Sequence, residues 1–153
     1  MGERASPDAV RAAITDGDLL RLYDYWHSRG AAGKLPSRRD VDPLDLPFLL
    51  GNLILVEVER DPLRFRYRLA GSNVTRRIGI DPTGRYVDKH PDAAFRQTIL
   101  GVYTEVATTA RPLAYVRDAY VDGRLRHYDV LVLPLARDGA TVDMILAAMK
   151  FRA

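Results

Sequence analysis

A histidine and two aspartates in the C-terminal third of the chain have the clearest capacity for chemistry. The dipeptide Asp122-Gly123 predicts a two-residue hairpin turn, which places Asp118 directly opposite His127 on the next strand. Asp129 follows two residues later on the same face. A histidine beside carboxylates can titrate near neutral pH and bind a polar ligand. The alternative, which the nearby turn favours, is a hydrogen-bonded pair at the solvated end of a sheet.

The other chemistry-bearing residues form no recognised catalytic or metal-binding pattern. The sequence has no cysteine, and its three histidines stand far apart, at positions 27, 90 and 127. No GxSxG, HExxH or phosphate-loop motif occurs in it. The pair Asp118 and His127 therefore lacks a nucleophile of known motif. We predict no catalytic residue, no metal site and no enzymatic activity.

Aromatic residues supply a second candidate site. Residues 64–69 alternate arginine with apolar side chains, which predicts a half-buried strand with Tyr67 on its inner face. Tyr103 lies on the apolar stripe of a helix predicted over residues 92–109. Such residues either line a pocket for a planar ligand or fill the core. The predicted ligand-binding residues are Tyr67, Tyr103, Asp118 and His127.

Five strands are predicted to position these residues. They cover residues 52–60, 63–71, 113–121, 124–136 and 140–151. The dipeptide Asp138-Gly139 predicts a second two-residue turn, which sets Leu135 against Val142 and Leu133 against Met144. Both faces of this hairpin are apolar, so both must be covered. The long helix is expected to cover one face.

An amphipathic helix near the N-terminus is the natural cover for the other face. Asp18 is suited to cap this helix and Gly30 to end it. Its apolar stripe consists of Leu19, Leu22, Tyr23 and Trp26. The stripe either covers the sheet or forms a dimer helix, and because aromatic residues dominate interfaces, these four residues are the predicted interface. Residues 1–17 are predicted to be a polar segment ahead of a single domain over residues 18–153.

Composition limits the partners and the location. The net charge is +3, and the arginines are spread along the chain among acidic residues instead of forming a basic stripe, so nucleic-acid binding is not favoured. No apolar run is long enough for a membrane span, and the N-terminus lacks the apolar region of a signal peptide. Together with the absence of cysteine, this predicts a cytoplasmic protein.

Three segments give the chain a family resemblance. FRYRLAGSNVTRRIGIDPTGR resembles the second strand and following helix of PAS domains, with Gly79 and Gly84 at the two family glycines. RLRHYDVLVLPLARDGATVDMILAAMKF is similar to the closing PAS hairpin. The lead-in LPSRRDVDPLDLPFLLGNLILVEVE resembles that of a bacterial subfamily of short, mostly single-domain PAS proteins.

The resemblance implies an α+β fold. Its core would be a PAS-like five-stranded antiparallel sheet with helices on one face, a small cavity beneath them, and the N-terminal amphipathic helix. The cofactor stays unknown. The types that attach flavin or a chromophore through cysteine need a residue that this chain lacks, and haem types usually take a histidine from the long helix, which has none.

We therefore expect a stand-alone sensory or adaptor module of bacterial signal transduction. It would form a homodimer, bind a signalling partner protein and a possible small-molecule ligand, and have no membrane contact. One alternative is a small cavity-forming α+β enzyme that uses Asp118, His127 and a tyrosine. The other is a basic nucleic-acid-binding adaptor.

Overall fold

A five-stranded antiparallel sheet forms the centre of the computed structural model, which describes residues 7–121 and 123–152. The strands are β1 (Leu53–Glu59), β2 (Arg64–Ala70), β3 (Leu113–Val121), β4 (Arg124–Leu135) and β5 (Met144–Phe151). Their order across the sheet is β2-β1-β5-β4-β3. This confirms the predicted α+β, PAS-like architecture.

Four α-helices surround the sheet in the described part of the chain. They are α1 (Pro7–Ala13), α2 (Gly17–Arg29), α3 (Ser72–Ile78) and α4 (Ala93–Thr109). Short 3₁₀ turns at Arg38–Asp40, Pro43–Asp45 and Leu50–Asn52 connect α2 to β1, and another at Val87–Lys89 precedes α4. No helix among these residues is long and apolar enough to cross a membrane.

The β3–β4 hairpin has the predicted register. Asp118 faces His127 and Arg117 faces Tyr128, as the Asp-Gly turn requires. Asp122, the first residue of that turn, lies outside the described residues.

The register predicted for the β4–β5 hairpin is wrong by two residues. Leu135 faces Met144 rather than Val142, and β5 begins at Met144 rather than at residue 140. The loop is longer because the Asp138 carboxylate accepts hydrogen bonds from the backbone N–H groups of Ala140 (2.9 Å) and Thr141 (2.7 Å), which favours a wider turn. A shift of two keeps every side chain on its predicted face.

Two apolar layers cover the sheet, as its two apolar faces require. One layer packs α3 and α4 against alternate strand residues, among them Phe65, Val130 and Ile145. The other packs α2 and the 3₁₀ turns against the opposite set, among them Leu131 and Leu146. Helix α2, the predicted amphipathic helix, therefore covers this second face within its own chain.

Helix α2 begins two residues before the start that a cap at Asp18 predicts. Asp16, not Asp18, is its N-cap, and the Asp16 side chain accepts a hydrogen bond from the Leu19 N–H at 3.0 Å. Asp18 instead binds Lys150 of β5, with 2.8 Å between the carboxylate and Nζ. This ion pair fixes the start of α2 to the last strand, and it raises the pKa of Lys150.

Candidate functional site

A small cavity lies between the sheet and helix α4. Its free volume is about 30 Å³. The lining is almost entirely apolar, and the residues that contribute it include four tyrosines and one arginine. They are, with the main apolar members, Ile54, Tyr67, Val74, Phe95, Ile99, Tyr103, Tyr115, Arg117, Tyr128, Val130 and Met149. An enclosed apolar space with a few convergent polar groups is the usual form of a small-molecule site.

The four tyrosines reach the cavity from four different elements. Tyr67 comes from β2, Tyr115 from β3 and Tyr128 from β4, each on the inward side of the strand alternation. Tyr103 comes from α4, and its ring packs edge-on against Phe65 with 5.7 Å between the ring centroids. The site therefore depends on the assembled sheet and helix.

Burial keeps these phenols protonated. Desolvation raises the pKa of Tyr67 and of Tyr115 to about 12, and it raises the pKa of Tyr103 well above its ordinary value. The phenols near the cavity are neutral at physiological pH, so they can donate hydrogen bonds to a ligand.

Arg117 is the charged residue among those that line the cavity. It lies over the ring of Phe95, with 4.5 Å from the guanidinium carbon to the ring centroid. Burial raises the pKa of Tyr67, Tyr115 and Tyr128, and the positive charge of Arg117 makes that rise smaller. Arg117 thus brings a positive potential to an otherwise apolar site.

The raised tyrosine pKa values predict a loss of stability at alkaline pH. A phenol with a higher pKa in the folded state contributes stability that is complete below the unfolded value of 10.0 and is lost as pH rises through about 12. We expect the free energy of unfolding, measured by urea denaturation, to fall over this interval and to fall less steeply in Tyr67→Phe. An unchanged slope in that variant would contradict the burial of Tyr67 in the folded protein.

The structure brings only two of the four predicted ligand-binding residues to the cavity. Tyr67 and Tyr103 line it, whereas Asp118 and His127 do not. These two form the expected pair, with 2.5 Å between His127 Nδ1 and an Asp118 oxygen, but their side chains are 50% and 58% exposed. They neighbour Arg117 and Tyr128 in sequence, and adjacent residues of a strand point to opposite faces. Their position fits the alternative interpretation, a hydrogen-bonded pair at a solvated part of the sheet.

The four residues of the predicted interface lie inside the chain's own second layer. Leu19, Leu22, Tyr23 and Trp26 are all nearly inaccessible to solvent. The Trp26 indole N–H also donates a hydrogen bond to the carbonyl of Pro134 at 2.9 Å. Of the two roles predicted for this stripe, covering the sheet or forming a dimer helix, the structure shows the first.

Sequence reasoning missed three polar members of the lining: Tyr115, Arg117 and Tyr128. The register of the first hairpin contained the signal. It pairs Arg117 with Tyr128 and Asp118 with His127, and neighbouring pairs lie on opposite faces, so if the second pair is exposed the first faces the core. Among the described residues, no group of three or more histidines and carboxylates is placed to hold a metal ion.

Comparison with known proteins agrees with this geometry. The sequence profile of the PAS domain family matches residues 15–150. The chain belongs to the PAS domain family. Membership makes this PAS domain a sensory or signalling module of the kind that binds ligands or partner proteins. A comparison with curated proteins gives no significant match.

Solved PAS structures share the fold at low sequence identity. The PAS domain of Bordetella pertussis BvgS is 20% identical, with a TM-score of 0.55 over 67% of this chain and 78% of that chain. A structure of VqmA bound to DPO is 14% identical, with a TM-score of 0.55 over 67% and 52% of the two chains. The Vibrio cholerae VqmA dimer gives the same identity and TM-score over 67% and 46%. This PAS domain spans about half of the VqmA chains.

Proposed function

We propose that this PAS domain is a non-enzymatic sensor that binds a small planar molecule in the tyrosine-lined cavity. The observation that carries the proposal is that four tyrosines and one arginine are among the residues that line an apolar space between the sheet and α4. Flat aromatic walls favour a flat ligand, and the protonated hydroxyls can orient it. The similar fold of VqmA, which is found bound to DPO, supports ligand binding by this architecture.

The small free volume indicates how binding would act on the protein. About 30 Å³ is the share of one water molecule in the liquid, so a planar ligand has to displace side chains. Phe95 and Met149 are the suitable ones, because both are partly exposed members of the lining and Met149 is flexible. A ligand that fits only the displaced arrangement shifts the population toward it, and this shift is the signal.

The output proposed for this signal is a protein contact. The expected homodimer, signalling partner and cytoplasmic location stay predictions. A dimer would have to use a surface other than the buried stripe of α2, or exchange that helix between subunits. The enzyme alternative is less favoured, because Asp118 and His127 are exposed and outside the cavity.

Native mass spectrometry of the protein purified from a bacterial host tests the proposal. We expect an extra mass on the folded protein that disappears on denaturation. Ala70→Val places two additional methyl groups in the lining and is expected to abolish the extra mass. Ala94→Val is the matched control, because Ala94 lies exposed on α4, and it should retain the mass.

Two results would count against a sensor that binds its ligand in this cavity. An extra mass retained by Ala70→Val would place the ligand outside the cavity. No extra mass in any preparation, with wild type and Ala70→Val equally able to dimerise or bind a partner, would favour an adaptor that works through protein contacts alone.

A further inference from the structure

Two arginines on the cavity face of the β3–β4 hairpin lack an acidic partner. Arg117 is in none of the ion pairs formed by the described side chains and donates no hydrogen bond among them. The Nε atom of Arg126 is buried and has no hydrogen-bond partner. A buried donor without a partner is unfavourable, so its presence calls for an explanation.

The two arginines are neighbours on one face of the sheet. Arg117 faces Tyr128 across the hairpin, and Ala119 faces Arg126 at the next pair but one. Arg117 and Arg126 are therefore diagonal neighbours, with Cα atoms about 7–8 Å apart. Arg117 lines the cavity, whereas Arg126 lies just beyond it toward the turn. Two like charges at this spacing repel each other unless an anion lies between them.

The acidic residues near the hairpin are engaged elsewhere. Asp92 is the N-cap of α4 and accepts a hydrogen bond from the Phe95 N–H at 3.0 Å. This hydrogen bond is the main cause of its lowered pKa, and the charge of Arg117 contributes less. On the strands, Asp118 and Asp129 lie on the opposite face, where they bind His127 and Arg152. The cavity side of the hairpin thus keeps an uncompensated positive charge.

We infer that the ligand of this cavity is a small aromatic carboxylate, whose ring lies among the tyrosines and whose carboxylate pairs with Arg117, with Arg126 next to it. This inference rests on the proposed function and names the chemical class of the ligand. A carboxylate matches the planar fork of one guanidinium in size, charge and geometry. The apolar wall supplies contact for the ring, and the neutral phenols add donors for the anionic oxygens.

Matched acids and amides test the inference. The probes are benzoate, phenylacetate and indole-3-acetate, each beside its primary amide, with dissociation constants measured by isothermal titration calorimetry. We expect at least one acid to bind about 10- to 100-fold more tightly than its amide, because a charge-assisted pair with arginine is lost in the amide. Arg117→Met should remove this preference, and Arg126→Met should reduce it.

Two further variants keep the test specific. Arg117→Lys keeps the charge but not the bidentate fork, and should give an intermediate preference. Arg137→Met removes an arginine whose side chain is 92% exposed on the β4–β5 loop, and should change nothing.

Three outcomes would overturn the inference. They are equal binding of acid and amide, an acid preference that survives in Arg117→Met, and no binding of any of the three acids. The native mass measurement requires no assumption about the ligand. A neutral extra mass there, sensitive to Ala70→Val, would leave the proposed sensor intact while the carboxylate inference fails.

Discussion

Replacing Trp26 by alanine is expected to lower the free energy of unfolding by about 3–5 kcal/mol. The indole is 6% exposed, packs beside Tyr23 with 5.7 Å between ring centroids, and donates a hydrogen bond to the Pro134 carbonyl at 2.9 Å. Its removal leaves a cavity between α2 and the sheet and a carbonyl without its donor. Since domains are stable by only about 5–15 kcal/mol, this loss brings the variant close to unfolding. Urea denaturation followed by circular dichroism measures it.

Two variants separate the contributions to this loss. Trp26→Phe retains an aromatic ring but not the N–H donor, and is expected to lie between wild type and Trp26→Ala. Leu44→Ala removes an apolar side chain that is 75% exposed and should change the free energy of unfolding by less than about 0.5 kcal/mol. If Trp26→Ala were as stable as Leu44→Ala, α2 would not be packed on its own sheet, and its role as a dimer helix would regain support.

Replacing Gly71 by alanine is expected to destabilise the protein by about 1–3 kcal/mol or more. Gly71 joins β2 to α3, and its N–H donates to the Leu53 carbonyl at 2.8 Å. A Cβ at this position would overlap the backbone carbonyl of Gly51 and come within 2.7 Å of the Leu50 carbonyl oxygen. Backbone cannot rotate away as a side chain can, so the junction of β2, α3 and the turn before β1 has to open.

Gly101 provides a control of opposite sign. It lies exposed inside α4, and a Cβ there would meet no atom within 4 Å. Gly101→Ala should therefore stabilise the protein by about 0.5–1 kcal/mol, because alanine favours a helix interior. The two variants are compared by their urea midpoints. A Gly71→Ala protein as stable as wild type would show that the two backbone segments do not approach each other closely.

Local rules predicted the first hairpin but not the second. The pairing of Asp118 with His127 follows from a two-residue turn. At Asp138-Gly139 the same dipeptide sits in a longer loop, because the Asp138 side chain binds backbone N–H groups and the Asp143 carboxylate accepts from the Arg137 N–H at 3.0 Å. A dipeptide pattern does not include these side-chain hydrogen bonds, so the register was set two residues too early.

The site was predictable in its aromatic half. Tyr67 and Tyr103 follow from strand alternation and from helical spacing, and both line the cavity. The polar half was not predictable: strand periodicity places residues 117 and 118 on opposite faces but does not say which face packs against α4, so Asp118 and His127 were candidates and Arg117 was not. That choice depends on which helix packs where, and packing is a property of the whole fold.

The last strand presents its two sides to two different parts of the molecule. Met149 lines the cavity, while the next residue, Lys150, holds Asp18 at the start of α2 through a 2.8 Å ion pair. The Met149 carbonyl is also bound by the Asn52 amide at 2.6 Å, and Asn52 in turn accepts a hydrogen bond from Asn73 of α3. Adjacent residues of β5 therefore contact the cavity on one side of the sheet and helix α2 on the other. A displacement of Met149 by a ligand would reach the Lys150–Asp18 ion pair through a single peptide bond.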